Sequence, residues 1–196
     1  MPQITRAHLE EIIASPDFQE ILKIIASFNT AKEIELFFRD AFTEKELQNF
    51  QNRWLAIKWV RKTSPYREIV KKTGLSLSLL QHANEKLNDD FYGWEFFLKK
   101  SKGETDNPLQ ELFEILASCK KAEEIELFFR DGVTRLEMYK LRKRWITVKM
   151  LNQDITYRKI AQKVELALST VLSISNTFQK GSGWKLALQK LRTLKE

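Results

Sequence analysis

At 196 residues the chain is long enough for one medium domain or two small ones, and 43% hydrophobic residues supply a real core. Six Gly and four Pro argue against a loop-rich β protein, and the single cysteine, Cys119, excludes an internal disulfide and fits a reducing cytoplasm. The formal net charge is +7, and the chain has no run of about 18 apolar residues, so no membrane span is expected.

Residues 1–15 are predicted as a first helix, with Leu9, Ile12 and Ile13 on one side. The opening Met1-Pro2-Gln3-Ile4-Thr5-Arg6 lacks the apolar core of a signal peptide, so a cytoplasmic location is expected. Ser15-Pro16 reads as a cap followed by Pro at the first helical position. The next helix runs from Asp17 to about Phe28 and carries Phe18, Ile21, Leu22 and Ile25 at helical spacing. Thr30-x-x-Glu33 is a capping box that opens a helix from Ala31 to Arg39. Thr43-x-x-Glu46 is a second one, and it opens a long segment through Arg53, Trp54 and Trp59. Ser64-Pro65 breaks that segment. A short helix, Tyr66 to Lys72, then meets the turn Thr73-Gly74-Leu75-Ser76, and a second short helix runs from Leu77 to Leu87. Short helix, tight turn with Gly, short helix is the pattern of a helix-turn-helix. Asn88-Asp89-Asp90 ends it, and Phe91 to Lys99 reads as a further helix. The polar stretch Lys100 to Pro108 is the best linker in the chain.

After the linker the pattern restarts. At an offset of 91, Ile34-Glu35-Leu36-Phe37-Phe38-Arg39-Asp40 falls on Ile125-Glu126-Leu127-Phe128-Phe129-Arg130-Asp131. Thr43, Glu46, Arg53-Trp54, Lys58, Tyr66-Arg67, Ile69 and Leu77-Ser78 fall on Thr134, Glu137, Arg144-Trp145, Lys149, Tyr157-Arg158, Ile160 and Leu168-Ser169. A single-residue adjustment places Gly93-Trp94 on Gly183-Trp184. The chain is therefore two copies of one unit, 1–99 and 108–196, joined by 100–107. Two copies do not make a solenoid, which needs three or more. They resemble a fused dimer, in which one surface is presented twice about a two-fold axis.

The charge follows the repeat. Residues 43–88 carry nine Lys/Arg and four Asp/Glu, and residues 134–179 carry nine and three, so the two helix-turn-helix stretches are +5 and +6. Everything else is net acidic, and the positive charge sits where phosphate contacts would need it.

Each copy resembles the Trp-repressor superfamily, and within it the TrpR-like group known as YerC/YecD. The residues that carry the resemblance are Glu35-x-Phe37-Phe38-x-Asp40, Thr43-x-x-Glu46, Arg53, Tyr66-Arg67-x-Ile69-x-x-x-Thr73-Gly74-Leu75-Ser76 and Gly93-Trp94. The resemblance implies an all-α fold in which two units interleave into a shared core with a helix-turn-helix at each end, here as an intrachain pseudo-dimer. It also implies a sequence-specific transcriptional regulator, a repressor, whose partner is double-stranded DNA. The recognition helices are expected about one duplex turn apart, on the order of 34 Å, and higher oligomers remain open.

Two departures qualify that expectation. In the Trp repressor two arginines hold the tryptophan corepressor. The first matches Arg53 and Arg144, but the second aligns with His82 and Ser173, which carry no guanidinium fork. The Gly after it is Ala83 and Ile174. A tryptophan corepressor is therefore not expected, and Arg53 is assigned a structural ion pair or helix-end contact. The recognition helices, moreover, lack arginine, the commonest reader of guanine. Copy one offers Ser76, Ser78, Gln81, His82, Asn84 and Lys86, and copy two offers Ser169, Thr170, Ser173, Ser175 and Asn176. Phosphate contacts are assigned to Lys58, Arg61, Lys62, Arg67, Lys71, Lys72, Lys149, Arg158, Lys159 and Lys163. Copy two has Glu165 where copy one has the turn Gly74, which weakens its claim on DNA.

The remaining residues take plainer roles. Trp54, Trp59, Trp94, Trp145 and Trp184 have apolar neighbours at helical spacing and are assigned to the core rather than to base stacking. Cys119 is assigned an apolar role. His8 and His82 are too far apart for a metal pair, and no nucleophile, base and orienter can be assembled. No enzymatic activity and no cofactor are expected. The alternative to a DNA-binding regulator is a helical interaction scaffold that kept the fold and lost DNA binding.

Overall fold

The computed structural model describes residues 6–62, 64–88, 93–103 and 105–195. Among these the chain is all helix. The first copy supplies α1 (Arg6–Ala14), α2 (Pro16–Ser27), α3 (Ala31–Ala41), α4 (Glu44–Arg61), α5 (Tyr66–Thr73), α6 (Leu77–Asn88) and α7 (Gly93–Lys100). The second supplies α8 (Pro108–Ser118), α9 (Ala122–Gly132), α10 (Arg135–Leu151), α11 (Tyr157–Val164), α12 (Leu168–Lys180) and α13 (Gly183–Thr193). Of the first helix expected over 1–15, residues 1–5 lie outside the described residues, as do the side chain of His8, residues 89–92 and Glu104.

Local chemistry sets the helix starts. Thr30 and Thr43 each accept a hydrogen bond from the backbone N–H three residues on, while Glu33 and Glu46 reach back to the cap, completing both capping boxes. Thr134 and Glu137 repeat the arrangement at α10. Pro16 and Pro108 stand at the first turn of α2 and α8, where a missing N–H costs nothing.

Packing runs between copies more than within them. α3 presents Ile34, Phe37, Phe38 and Ala41 as one buried stripe and lies against α8 and α13. α9 does the same against α2 and α7. Aromatic edges knit the two halves: Phe18 meets Phe129 at 5.2 Å, Phe38 meets Phe113 at 5.4 Å, and Phe37 meets Trp184 at 5.3 Å. The main core is one cluster drawn from both copies.

The polar contacts between copies are reciprocal. Arg53 of α4 forks onto Glu137 at 2.8 and 3.1 Å and also donates to the carbonyl of Gly132, the last residue of α9, at 2.9 Å. Arg144 of α10 returns the contact to Glu46 at 2.9 and 3.4 Å and to the carbonyl of Ala41, the last residue of α3, at 2.7 Å. Each guanidinium is thus both an ion pair and a cation at a helix C-terminus. Asp40 accepts from the N–H groups of Gly183 and Trp184 at the start of α13, and Asp131 accepts from Trp94 at the start of α7. A carboxylate from one copy therefore caps a helix of the other. Glycine is required there: a Cβ on Gly93 would stand 2.7 Å from the Leu127 carbonyl, and one on Gly183 would run into the Leu36 carbonyl. A contact in which i meets j and j meets i defines a two-fold arrangement, here within one chain.

The connecting segment is held rather than loose. Ser101 donates to Glu111 at 2.6 Å, Lys58 pairs with the same carboxylate at 2.7 Å and also with the Gly103 carbonyl, and Asn107 caps α8.

Glu46 ties these levels together. Burial alone would raise its pKa, but the Arg144 fork and the Thr43 donors hold it below its ordinary value. Glu20 and Glu111 are lowered too, against the same effect of burial, chiefly by Lys149 and Lys58. Asp40 runs the other way, pushed up by burial. A carboxylate with a depressed folded-state pKa stabilises above its unfolded value and loses that contribution as pH falls through the folded one. Glu33, Glu35 and Glu124 are lowered as well, so the carboxylates act mostly in one direction and the urea midpoint should fall as pH drops below about 4.5, the ordinary glutamate value. The Glu46→Gln variant should cost about 1.5–3 kcal/mol near neutral pH and show a flatter acid limb in urea titrations.

Candidate nucleic-acid interface

Two helix-turn-helix units sit on this frame. In the first, α5 is fixed by Ile69, fully buried, and ends at Gly74, whose φ of 71° lets the chain turn sharply into α6. Leu75 and Leu80 tuck inward. In the second, Ile160 and Val164 bury the inner face of α11, and with Met150 and Val171 they form a small separate cluster. The turn falls at Glu165, with φ 54° and ψ 52°. A residue with a Cβ is strained in this left-handed region. Lys143 steadies it, donating to the Glu165 carbonyl at 3.3 Å and standing 3.6 Å from its carboxylate.

The inner positions being fixed, the opposite sides of α5 and α11 face solvent. They present Arg67, Lys71 and Lys72, and Arg158, Lys159 and Lys163, all exposed. Lys62 and Lys72 each lie over the Trp59 ring, at 5.0 and 5.5 Å from its centroid. Arg61 is exposed beside Glu95 at 3.7 Å. These cations rim the outer side of each unit, more of them on the first than on the second.

Lys58 and Lys149 do not belong to those rims. Lys58 is buried against Glu111, and Lys149 is pinned between Asp17 at 2.7 Å and Glu20 at 2.6 Å. Both cross to the other copy and close over Trp54 and Trp145. Burial would lower the Lys149 pKa, but Asp17 and Glu20 raise it above the usual lysine value. Each serves the contact between copies, its ammonium held by carboxylates of the other copy.

On the recognition helices Ser78, Gln81, His82 and Asn84 are exposed in α6, and Ser169, Thr170, Ser173 and Asn176 are exposed or partly so in α12. Ser76 accepts from the Leu79 N–H at 3.3 Å and so caps α6. Ser175 leaves the candidate set: it is buried and shares a hydrogen bond of 3.0 Å with Tyr157. Glu85, exposed beside His82 at 3.5 Å, places an acid on the first unit as Glu165 does on the second. Sequence patterning alone passed over the apolar side chains here. Leu77, Leu168 and Leu172 are 50%, 43% and 42% exposed. The signal was present, since Leu168 and Leu172 fall off the inner stripe of Val171 and Ile174.

Arg53 and His82 line one cavity of about 530 Å³, between α6 and the α9–α10 junction. Arg144 and Ser173 line its counterpart of about 220 Å³. Ala83 and Val133 leave the first open, whereas Ile174 and Phe42 fill the second. Of the tryptophans, Trp54 stacks on Trp94 and Trp145 on Trp184 inside the core. Cys119 is fully buried, and burial pushes its thiol up to about 11.

Paired helix-turn-helix units on a reciprocally interleaved all-α frame define a class of DNA-binding regulators. The chain belongs to the Trp repressor family: the model of the Trp repressor protein matches it twice, at residues 16–102 and 107–192. No curated protein and no solved structure matches it. Among the described residues no helix is long and apolar enough to cross a membrane.

The strained turn yields a direct expectation. Glu165→Gly removes the left-handed penalty and loses an exposed ion pair worth little. It should stabilise the chain by about 1 kcal/mol, or roughly 2–4 °C in a calorimetric melting point.

Proposed function

We propose that the chain is a sequence-specific repressor in the cytoplasm that sets two helix-turn-helix units of one molecule on adjacent half-sites. The units are 1–99 and 108–196, joined by 100–107. The observation that carries this reading is the reciprocity of the contacts between copies. One chain already completes the two-fold frame that a homodimer would otherwise build. Arg61, Arg67, Lys71, Lys72, Arg158, Lys159 and Lys163 neutralise phosphates, and the α6 and α12 side chains face the bases. The recognition helices then sit about 34 Å apart, one duplex turn. The two faces differ in sequence, so the half-sites differ as well.

Selection from a random duplex library at physiological salt tests this. The expected product is an imperfect palindrome with unequal halves, bound by a species of one chain, 23.2 kDa by light scattering. A perfectly symmetric motif, or a stable species of twice that mass, overturns it. A folded chain that enriches nothing supports an interaction scaffold instead, the reading that Glu85 and Glu165 favour. Replacing Lys71 and Lys72 by Ala should weaken binding on all sequences alike. The log–log salt slope should flatten by about 0.9 for each phosphate that is no longer neutralised.

We further propose that no tryptophan corepressor operates. The Arg53 guanidinium is committed to Glu137 and the Gly132 carbonyl, and His82 presents no fork to a carboxylate. Calorimetric titration with L-tryptophan should show no binding in the micromolar range, and a micromolar isotherm would refute the point.

A further inference from the structure

The two recognition faces are related by the internal repeat, yet Leu172, Ser173 and Asn176 stand where the first copy has Gln81, His82 and Glu85, and the first of these exchanges an amide for an apolar side chain. On α12 the outward side chains are Ser169, Leu172, Ser173 and Asn176, one helix face at i, i+3, i+4 and i+7, opposite buried Val171 and Ile174. Leu172 is 42% exposed, and Leu168, one turn earlier, is 43% exposed. Two leucines stand open to water in a face otherwise made of hydroxyls and one amide. Beside them α11 turns Arg158, Lys159 and Lys163 outward. A surface that suits this face is anionic at its rim and apolar at a point within. The DNA major groove has both, with phosphates at its edges and the thymine C5-methyl as the apolar group on its floor. On α6 the equivalent of Leu168 is Leu77, still exposed, but the equivalent of Leu172 is Gln81. A glutamine amide pairs with adenine N6 and N7.

Resting on the DNA-binding reading above, we propose that Leu172 and Gln81 are a specificity-determining pair. Leu172 packs against a thymine methyl in the half-site of the second copy. Gln81 reads an adenine at the corresponding base of the first. The short side chains of Ser169 and Ser173 leave room around Leu172 for the methyl to approach. Leucine has no donor or acceptor, so its preference is for the methyl group itself and not for the hydrogen-bonding edge of the base. The two halves of the operator therefore differ in kind at this position.

The test uses the full chain and the duplex it selects. Thymines of each half-site are replaced one at a time by deoxyuridine, which removes the methyl and leaves the pairing edge unchanged. One position in one half should lose about fourfold in affinity, the worth of one buried methyl-sized group. Leu172→Ala should bind the thymine and uracil duplexes equally. Leu172→Gln should move the selected base at that position from thymine to adenine and leave the other half unaltered. Unchanged melting of both variants shows that they fold, as expected for an exposed site. A wild-type chain that selects a motif but is indifferent to every thymine methyl overturns this proposal and leaves the DNA-binding reading standing. An unchanged Leu172→Gln motif does the same. A chain that selects no duplex overturns both.

Discussion

The fold turns on the crossed guanidinium forks. Arg53 holds Glu137 and Arg144 holds Glu46, and each arginine also takes a carbonyl at the end of a helix in the other copy. The glutamates are not free to serve as partners alone, because each also closes the capping box that starts its own long helix. The start of α4 and the docking of α10 onto it are thereby one event. Taking two such charges out of water is costly, and a buried pair is often no better than apolar residues of the same volume. What the forks supply is register. Apolar stripes of phenylalanine and isoleucine slide at small cost, whereas a bidentate fork with a third bond to a helix end fits one alignment.

Around that register the two copies have diverged. The frame contacts are kept in pairs: Asp40 with Asp131, Trp54 with Trp145, Lys58 with Lys149, Glu20 with Glu111. The surfaces are not. The cavity at Arg53 is more than twice the volume of that at Arg144, through Ala83 against Ile174 and Val133 against Phe42. The turns differ as well, Gly74 relaxed and Glu165 strained. Two chains of a homodimer cannot hold such differences, since a substitution in one appears in both.

The repeat, the capping boxes and the helix-turn-helix turns were legible because each is written in local spacing: Thr-x-x-Glu, Gly74, and a seven-residue match at a fixed offset. The core placement of Trp54, Trp94, Trp145 and Trp184 was legible from helical periodicity, whereas Trp59, assigned there too, is half-buried and carries Lys62 and Lys72 over its ring. The lysines were harder. Lys58 and Lys149 have the same composition signal as Lys71 and Lys163, and what separates them is a carboxylate in the other copy, Glu111 or Glu20, about 50 or 130 residues away in sequence. No local pattern carries that information. Ser175 was misplaced for a similar reason: it lies at the edge of the inner stripe, and Tyr157 claims its hydroxyl. The role of Arg53 as ion pair and helix-end contact was inferred from the absence of a second arginine, and its geometry has both.

Interleaving also fixes the order in which the molecule can be finished. α13 of the second copy lies on α3 of the first, with Trp184 against Phe37 and the Asp40 carboxylate over its first two amides. A nascent first copy leaves the ribosome with that apolar stripe uncovered and stays so until the second copy has followed. Contacts of such long sequence separation close slowly, and exposed stripes invite association while they wait. The fusion shortens the search for a partner but postpones its arrival until the second copy has been made.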